Sequence, residues 1–350
     1  MTTVLLLFSS SNIGGAERSL SRMALSNKDP KVVYQLATFG APGQWSTWVY
    51  ELGANPECFD FRWYSLLKYL VIKKPDVIYV IGFRLSFVLR FFKIFFRKSF
   101  LIQGVRWNPN SNSILDKVFR ISEYFFSFCL DGFIVNSNIA RQNIERLTNQ
   151  EVKLIYNGLE GGAKRRNVLV QNKTVITVAN ISERKGYRDY LDVIAIVIKT
   201  IPDSQFVFIG SDNLNGEIHQ HIIAKGLNEN VKPLGFQANV GEFLVNSQLF
   251  VLPSQYGEGC PTSILEAFSY GLPVIAYRVD GIPELVTHNV DGLLFDVGDK
   301  QAMALGIISL LLDSKVAMEM GRLGRDKIED NFLLEKMVNE HNSFFIKLKK

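Results

Sequence analysis

At 350 residues, with 47% hydrophobic and 21% charged content, the chain can bury two ordinary cores and is far from a disordered composition. Its three cysteines, Cys58, Cys129 and Cys260, are odd in number and scattered, which argues against a disulfide framework or metal cluster and points to a reducing compartment. The net charge of +5 is uneven: 21 Lys and Arg face 12 Asp and Glu through Arg165, then 18 face 22, so the N-terminal half is expected to meet an anionic partner.

The chain opens on an apolar run at residues 4–8 with no basic residue before it, which reads as a buried strand and not as a secretory signal. Short β-branched runs at 4–8, 32–38, 77–81, 100–104, 133–135 and 153–156 alternate with helical stretches, the pattern of a parallel α/β domain. Within residues 87–100, Val88, Phe91, Phe92, Phe95 and Phe96 fall at helical spacing, with Arg90, Lys93 and Arg97 on another face. Two readings fit that stretch: a crossover helix packing its Phe face on the sheet, or a basic amphipathic helix on an anionic membrane. Residues 159–168 combine paired glycines with a charge run and no apolar periodicity, as an interdomain linker does. Further strands are predicted at 175–179, 205–209, 231–234, 249–252 and 274–276, with 292–295 as an edge strand and 331–350 as a closing helix. No run of about 18 apolar residues marks a spanning helix, and no repeat of 20–50 residues is visible.

The most telling segment is 258–294, where Glu258 and Glu266 flank a Gly/Pro-rich turn into a helix. Proline favours the first helical turn, so the helix is predicted to start near Pro261, with Glu258 in the loop and Glu266 about one and a half turns inside. Backbone N–H groups of Gly259, Cys260, Thr262 and Ser263 then lie at the positive end of the helix dipole, where phosphate binds. A carboxylate on either side of an anion site suits a ligand with hydroxyls at both ends and charge between them. A nucleotide sugar has that layout.

The segment resembles the E-x7-E signature of retaining glycosyltransferases of family 4, which have the GT-B fold. The likeness extends along the chain through Gly14, Gly15, Ala16 and Glu17, then Tyr156, Asn157 and Gly158, then Arg184, Lys185 and Gly186, and Leu252, Pro253 and Ser254. The resemblance implies an α/β protein of two Rossmann-like domains facing each other across a cleft, residues 1–163 binding acceptor and 164–330 binding donor, with helix 331–350 crossing back. It also implies that Glu266 accepts hydrogen bonds from both ribose hydroxyls; each charged bond of that kind contributes roughly 1.5–3 kcal/mol. By the same carry-over Glu258 contacts the transferred sugar and stabilises positive charge at its anomeric carbon. The plainer alternatives are a solvated helix-face glutamate for Glu266 and a loop or N-cap charge for Glu258.

Lys185, between a strand and a helix, is placed to neutralise a departing diphosphate. The family usually carries an arginine where this chain has Asn180; Arg184 is the nearest substitute, although on a regular backbone a neighbour of Lys185 aims elsewhere. Expected donor contacts are thus Gly15, Asn180, Arg184, Lys185, Glu258, Gly259, Cys260, Pro261, Thr262 and Glu266, with Glu258 and Lys185 catalytic. Gly14 and Arg106 are candidates for acceptor or phosphate contact, since glycine admits close approach and Arg106 follows a strand end. Glu17 reads as a first-turn acid complementing its helix dipole. Many family members have a histidine near Arg106, but the four here, His219, His221, His288 and His341, all lie in the second half. That suits a mechanism in which the leaving phosphate oxygen takes the acceptor's proton on the same face, with retention.

The absence of a D-x-D triplet, a P-loop motif, a G-x-G-x-x-G after the first strand and any His/Cys cluster leaves neither metal nor cofactor expected. The resemblance implies transfer from a nucleotide-diphosphate sugar, UDP-linked by expectation, to a lipid-linked or glycan acceptor in surface polysaccharide assembly at the cytoplasmic membrane face, with no nucleic acid partner. A nucleotide-sugar 2-epimerase and a non-catalytic nucleotide-sugar-binding subunit are the alternatives sharing the fold.

Overall fold

The computed structural model describes residues 1–107, 114–161 and 172–349, which form two compact units. The first comprises Met1–Gly158 and Leu333–Lys350, the second Leu159–Phe332. The expected break at 163/164, like most of the 159–168 linker, lies outside the described residues; the observed division falls earlier, between Gly158 and Leu159, and returns between Phe332 and Leu333. At that double crossing the Leu159 N–H donates to the Phe332 carbonyl at 2.8 Å. A Cβ on Gly158 would sit 2.7 Å from the Leu333 carbonyl oxygen, so a residue without one is needed there.

The first unit holds a seven-stranded sheet of β1 (Thr2–Phe8), β2 (Val32–Thr38), β3 (Glu57–Cys58), β4 (Val77–Ile81), β5 (Phe100–Val105), β6 (Gly132–Val135) and β7 (Val152–Leu154). Its order is β3-β2-β1-β4-β5-β6-β7 and every pair is parallel. A sheet covered on both faces lets a strand read as one apolar run. In β1 the alternation of side chains sends Val4, Leu6 and Phe8 to one core and Leu5 and Leu7 to the other. The first core is closed by helix Gly15–Leu25 and the terminal helix Leu334–Lys349, which supplies Leu334, Met337, Val338, Phe344 and Phe345. Tyr34 Oη donates to Asn342 Oδ1 at 2.7 Å and Asn342 Nδ2 to Asn27 Oδ1 at 2.8 Å, which fixes that helix in register. Strand β3 gives no sequence signal because two residues are too few to show a period.

The stretch 87–100 meets the crossover expectation only in part: Leu89 and Phe96 pack in the core, but Phe91 and Phe95 do not. It is the helix Phe83–Phe92 followed by a 3₁₀ turn Lys93–Phe96, and its predicted polar face is divided: Arg97 is exposed and Arg90 is not. Arg90 is buried and donates through Nη2 to Glu123 Oε1 and Gln103 Oε1, both at 2.6 Å, while Phe91 and Phe95 are exposed. An acid on the neighbouring helix Ile114–Phe126 thus turns the arginine inward and the rings outward.

The second unit holds β8 (Thr174–Val178), β9 (Gln205–Ile209), β10 (Val231–Pro233), β11 (Leu249–Leu252), β12 (Val274–Tyr277) and β13 (Gly292–Phe295), in the order β10-β9-β8-β11-β12-β13, again parallel throughout. Helix Tyr187–Thr200 buries Tyr187, Tyr190, Leu191, Ile194 and Val197, one stripe at helical spacing. The order reverses between β8 and β11. Ligands of open α/β sheets bind at that reversal, beyond the strand C-termini.

Candidate functional site

The loops after β8 and β11 meet at the reversal, and the backbone dictates how closely. Gly186 has φ +68°, and a Cβ there would lie 2.2 Å from the Pro253 carbonyl oxygen. Only glycine lets the two loops touch at this point. The Gln255 N–H donates to the Arg184 carbonyl at 2.9 Å and Gln255 Nε2 to Asp189 Oδ2 at 2.6 Å, stitching the loops together.

On this frame Lys185 and Glu258 face each other, 7% and 4% exposed. Lys185 Nζ donates to Glu258 Oε1 at 2.5 Å, and Arg184 Nη1 donates to the same oxygen at 3.1 Å. The expectation that Arg184 points elsewhere is overturned. Residues Glu183–Lys185 form a 3₁₀ turn, whose tighter winding brings both neighbours to one carboxylate. Burial alone would raise the Glu258 pKa, but the Lys185 ammonium and Arg184 guanidinium outweigh it and hold the carboxyl below its ordinary value. Burial and Arg184 push Lys185 down, partly offset by Glu258. Two cations on one anion leave the cluster with surplus positive charge.

Asp280 was not anticipated. It sits at φ +46°, a left-handed position that Asp tolerates, and its Oδ2 accepts from the N–H of Gly257 at 2.5 Å and of Glu258 at 3.0 Å. The Gly281 N–H donates in turn to the Glu258 carbonyl at 3.2 Å. The loop carrying Glu258 is therefore clamped from β12. An Asp-Gly pair just after a predicted strand was the available signal.

Helix Thr262–Ser269 follows, with Pro261 at its N-cap position instead of in the first turn, and no side chain caps it. Gly259 and Cys260 are buried ahead of it and Glu266 is half-buried in its second turn. The Glu266 carboxylate lifts the pKa of Tyr270 one turn on, after burial, the larger cause. Asn180 lies apart from the ionic cluster: its Oδ1 accepts from the Ser211 N–H at 3.0 Å, tying the end of β8 to that of β9.

The candidates of the first unit make contacts within that unit. Gly14 is the N-cap of helix Gly15–Leu25, and a Cβ there would lie 2.7 Å from Glu17 Oε2. The chain's own Glu17 carboxylate occupies that helix start; burial raises its pKa, and main-chain N–H groups of Glu17 and Gly14 hold it back. Arg106 donates through Nη2 to Tyr79 Oη at 2.8 Å and through Nη1 to Asn157 Oδ1 at 3.1 Å. The plainer reading of Arg106, a loop arginine anchoring Asn108 and Pro109, concerns residues outside the described ones.

His341 corrects the histidine count for this unit. The terminal helix carries it 3.5 Å from Arg106 Nη2 and against the Tyr79 ring. Burial, with Arg106 beside it, pushes its pKa down to about 3. The neutral ring donates from Nδ1 to the Met337 carbonyl at 2.8 Å and turns Nε2 to Arg106, so it is a packed strut and not a poised base. Among the described residues no three His, Cys, Asp or Glu side chains cluster as metal ligands would.

Residues 163–327 match the family model of glycosyl transferases group 1, which takes in Arg184, Lys185, Glu258 and Glu266. The structure of HepE from Anabaena in complex with UDP and glucose superposes with a TM-score of 0.87 at 21% identity, covering 99% of this chain and 100% of that one. The chain has the GT-B fold. In sequence it is 31% identical over 176 residues to the amylovoran biosynthesis glycosyltransferase AmsK of Erwinia amylovora, covering 48% of this chain and 43% of that protein. It is 25% identical over 295 residues to the capsular polysaccharide biosynthesis glycosyltransferase CapH of Staphylococcus aureus, covering 80% and 82%. Against the first curated relatives the GT-B chain spans about half their length, from 38% to 54%.

Proposed function

We propose that this chain is a retaining glycosyltransferase that moves a sugar from a UDP-linked donor to a hydroxyl of a lipid-linked or glycan acceptor in surface polysaccharide assembly. The reading rests above all on the buried Lys185–Glu258 pair, joined by the half-exposed Arg184, at the sheet reversal, within the matched residues and just ahead of the helix that carries Glu266. An ammonium has three donors and Glu258 takes one, so Lys185 keeps donors for a diphosphate while its position stays fixed. Arg184 supplies the second cation that Asn180 does not. As the bond from anomeric carbon to phosphate oxygen breaks, negative charge grows on that oxygen and the surplus positive charge offsets it. The acceptor oxygen bonds to the same face while its proton passes to the departing phosphate oxygen, a route that asks nothing of His341. UDP in the complex of HepE, and polysaccharide synthesis in the name of CapH, support the donor and the setting.

The test is thermal-shift titration with UDP, GDP and their sugars, followed by the anomeric configuration of any product. UDP is expected to stabilise the protein by about 2.7 kcal/mol at a hundred times its Kd. Glu266→Ala should abolish that shift; an equal shift in both proteins removes the ribose assignment.

A further inference from the structure

The helix Ile114–Phe126 carries an apolar stripe on its outer face. Ile114, Val118, Ile121 and Phe125 lie at i, i+4, i+7 and i+11, a single stripe, and all four face solvent. Ile121 is 61% exposed, Phe125 60%, and Phe128 just beyond the helix 71%. The opposite face anchors Phe119 in the core but otherwise buries Ser122 and Glu123, polar residues that an ordinary surface helix turns outward.

That orientation is pinned. Glu123 Oε1 accepts from Arg90 Nη2 at 2.6 Å and from Gln103 Nε2 at 3.2 Å, and Ser86 Oγ donates to Gln103 Oε1 at 2.5 Å. Rotating the helix to hide its stripe would break both Glu123 bonds and leave the buried Arg90 without its counter-charge. The neighbouring element extends the patch. Phe126 packs its ring on Phe87 at 5.7 Å and Phe91 at 5.9 Å, and Phe91, Ile94 and Phe95 are exposed at 59%, 58% and 61%. Two adjacent elements thus present at least seven large apolar side chains to water, more than scattered exposure explains.

We propose that this face seats the first unit on an anionic lipid bilayer. Charge selects that occupant: Lys117 flanks the stripe and Arg97 and Lys98 follow Phe95, all three exposed. Asp131, nearby in the chain, is engaged by Lys93 at 2.5 Å. Rings and aliphatic chains with basic neighbours are what an interfacial helix offers to anionic headgroups. A two-fold contact between copies would instead set each basic flank near its own counterpart, which is unfavourable. Among the described residues no helix is long and apolar enough to cross a membrane, so the contact is peripheral. The inference stands apart from the donor reading, because this face needs no nucleotide.

Co-sedimentation of the full chain with vesicles tests it, using phosphatidylcholine alone and phosphatidylcholine with about a third phosphatidylglycerol. The protein should bind the anionic vesicles, less well as salt rises, and Ile121→Ser with Phe125→Ser should weaken partition by about 10-fold or more. Lys117→Glu should lower binding to anionic vesicles specifically. Unchanged melting temperature and unchanged nucleotide-induced shift in the variants exclude misfolding as the cause. Failure of the parent protein to bind, or equal binding by the double variant, overturns the proposal. So does a dimer in sedimentation velocity that the same substitutions dissociate, which would assign the face to a second copy. Loss of the nucleotide shift in the parent protein would sink the donor reading and leave this one standing.

Discussion

Glu258 is the residue on which most of the site's electrostatics turn. Glu258→Gln keeps the shape and removes the anion, leaving Lys185 buried beside Arg184 with no counter-charge. Losing one partner of a buried pair costs about 3–5 kcal/mol, so the variant should melt well below the parent protein and lose activity by about a hundredfold or more. Its folded pKa is depressed, so its contribution is present above the ordinary carboxyl value and is lost as pH falls through the lowered one. His341 works in a higher window. With a folded pKa of about 3 against 6.5 unfolded, the unfolded chain binds the extra proton, and stability falls as pH drops from 6.5 toward 3. His341→Phe should flatten that part of a stability-versus-pH curve measured by urea unfolding. A curve of unchanged slope would mean that the ring is not held neutral.

Elements carried different amounts of their fate in the sequence. Buried parallel strands such as β1, β4 and β11 were legible because both faces are covered, and their apolar runs could hardly be anything else. The glutamate pair and Lys185 were legible through motif and spacing. The convergence of Arg184 on Glu258 was not, because it depends on a 3₁₀ turn that no periodicity announces. Nor was the Asp280 clamp, made by a side chain 22 residues from the Glu258 N–H it accepts. Helix Ile114–Phe126 misleads any reader of periodicity, since its apolar stripe is the outer face. The terminal helix gives the clearest element-scale prediction. Phe345 is fully buried against Tyr34 and Tyr79, so Phe345→Ala should cost about 3–5 kcal/mol of first-unit stability in chemical denaturation.

For the whole molecule, two units with separate cores predict two unfolding transitions in calorimetry. The proposed nucleotide site lies in the second unit, so UDP should raise one transition and leave the other in place. A single transition moving as a whole would mean that the two cores unfold as one. Each sheet order reverses once, and in the second unit the Lys185–Glu258 pair lies at that reversal.

The closure of the first core by residues 334–349 also sets an order of events during synthesis. Val4, Leu6 and Phe8 are synthesised more than 300 residues ahead of Phe344 and Phe345, which pack in the same core. At roughly 5–20 residues per second the nascent strand waits on the order of tens of seconds for its lid. The whole of Leu159–Phe332 is translated in the meantime and can fold first. Strand β1 thus waits for a partner made after the whole second unit, and a chain cut before residue 334 would keep that unit intact while leaving one face of β1 bare.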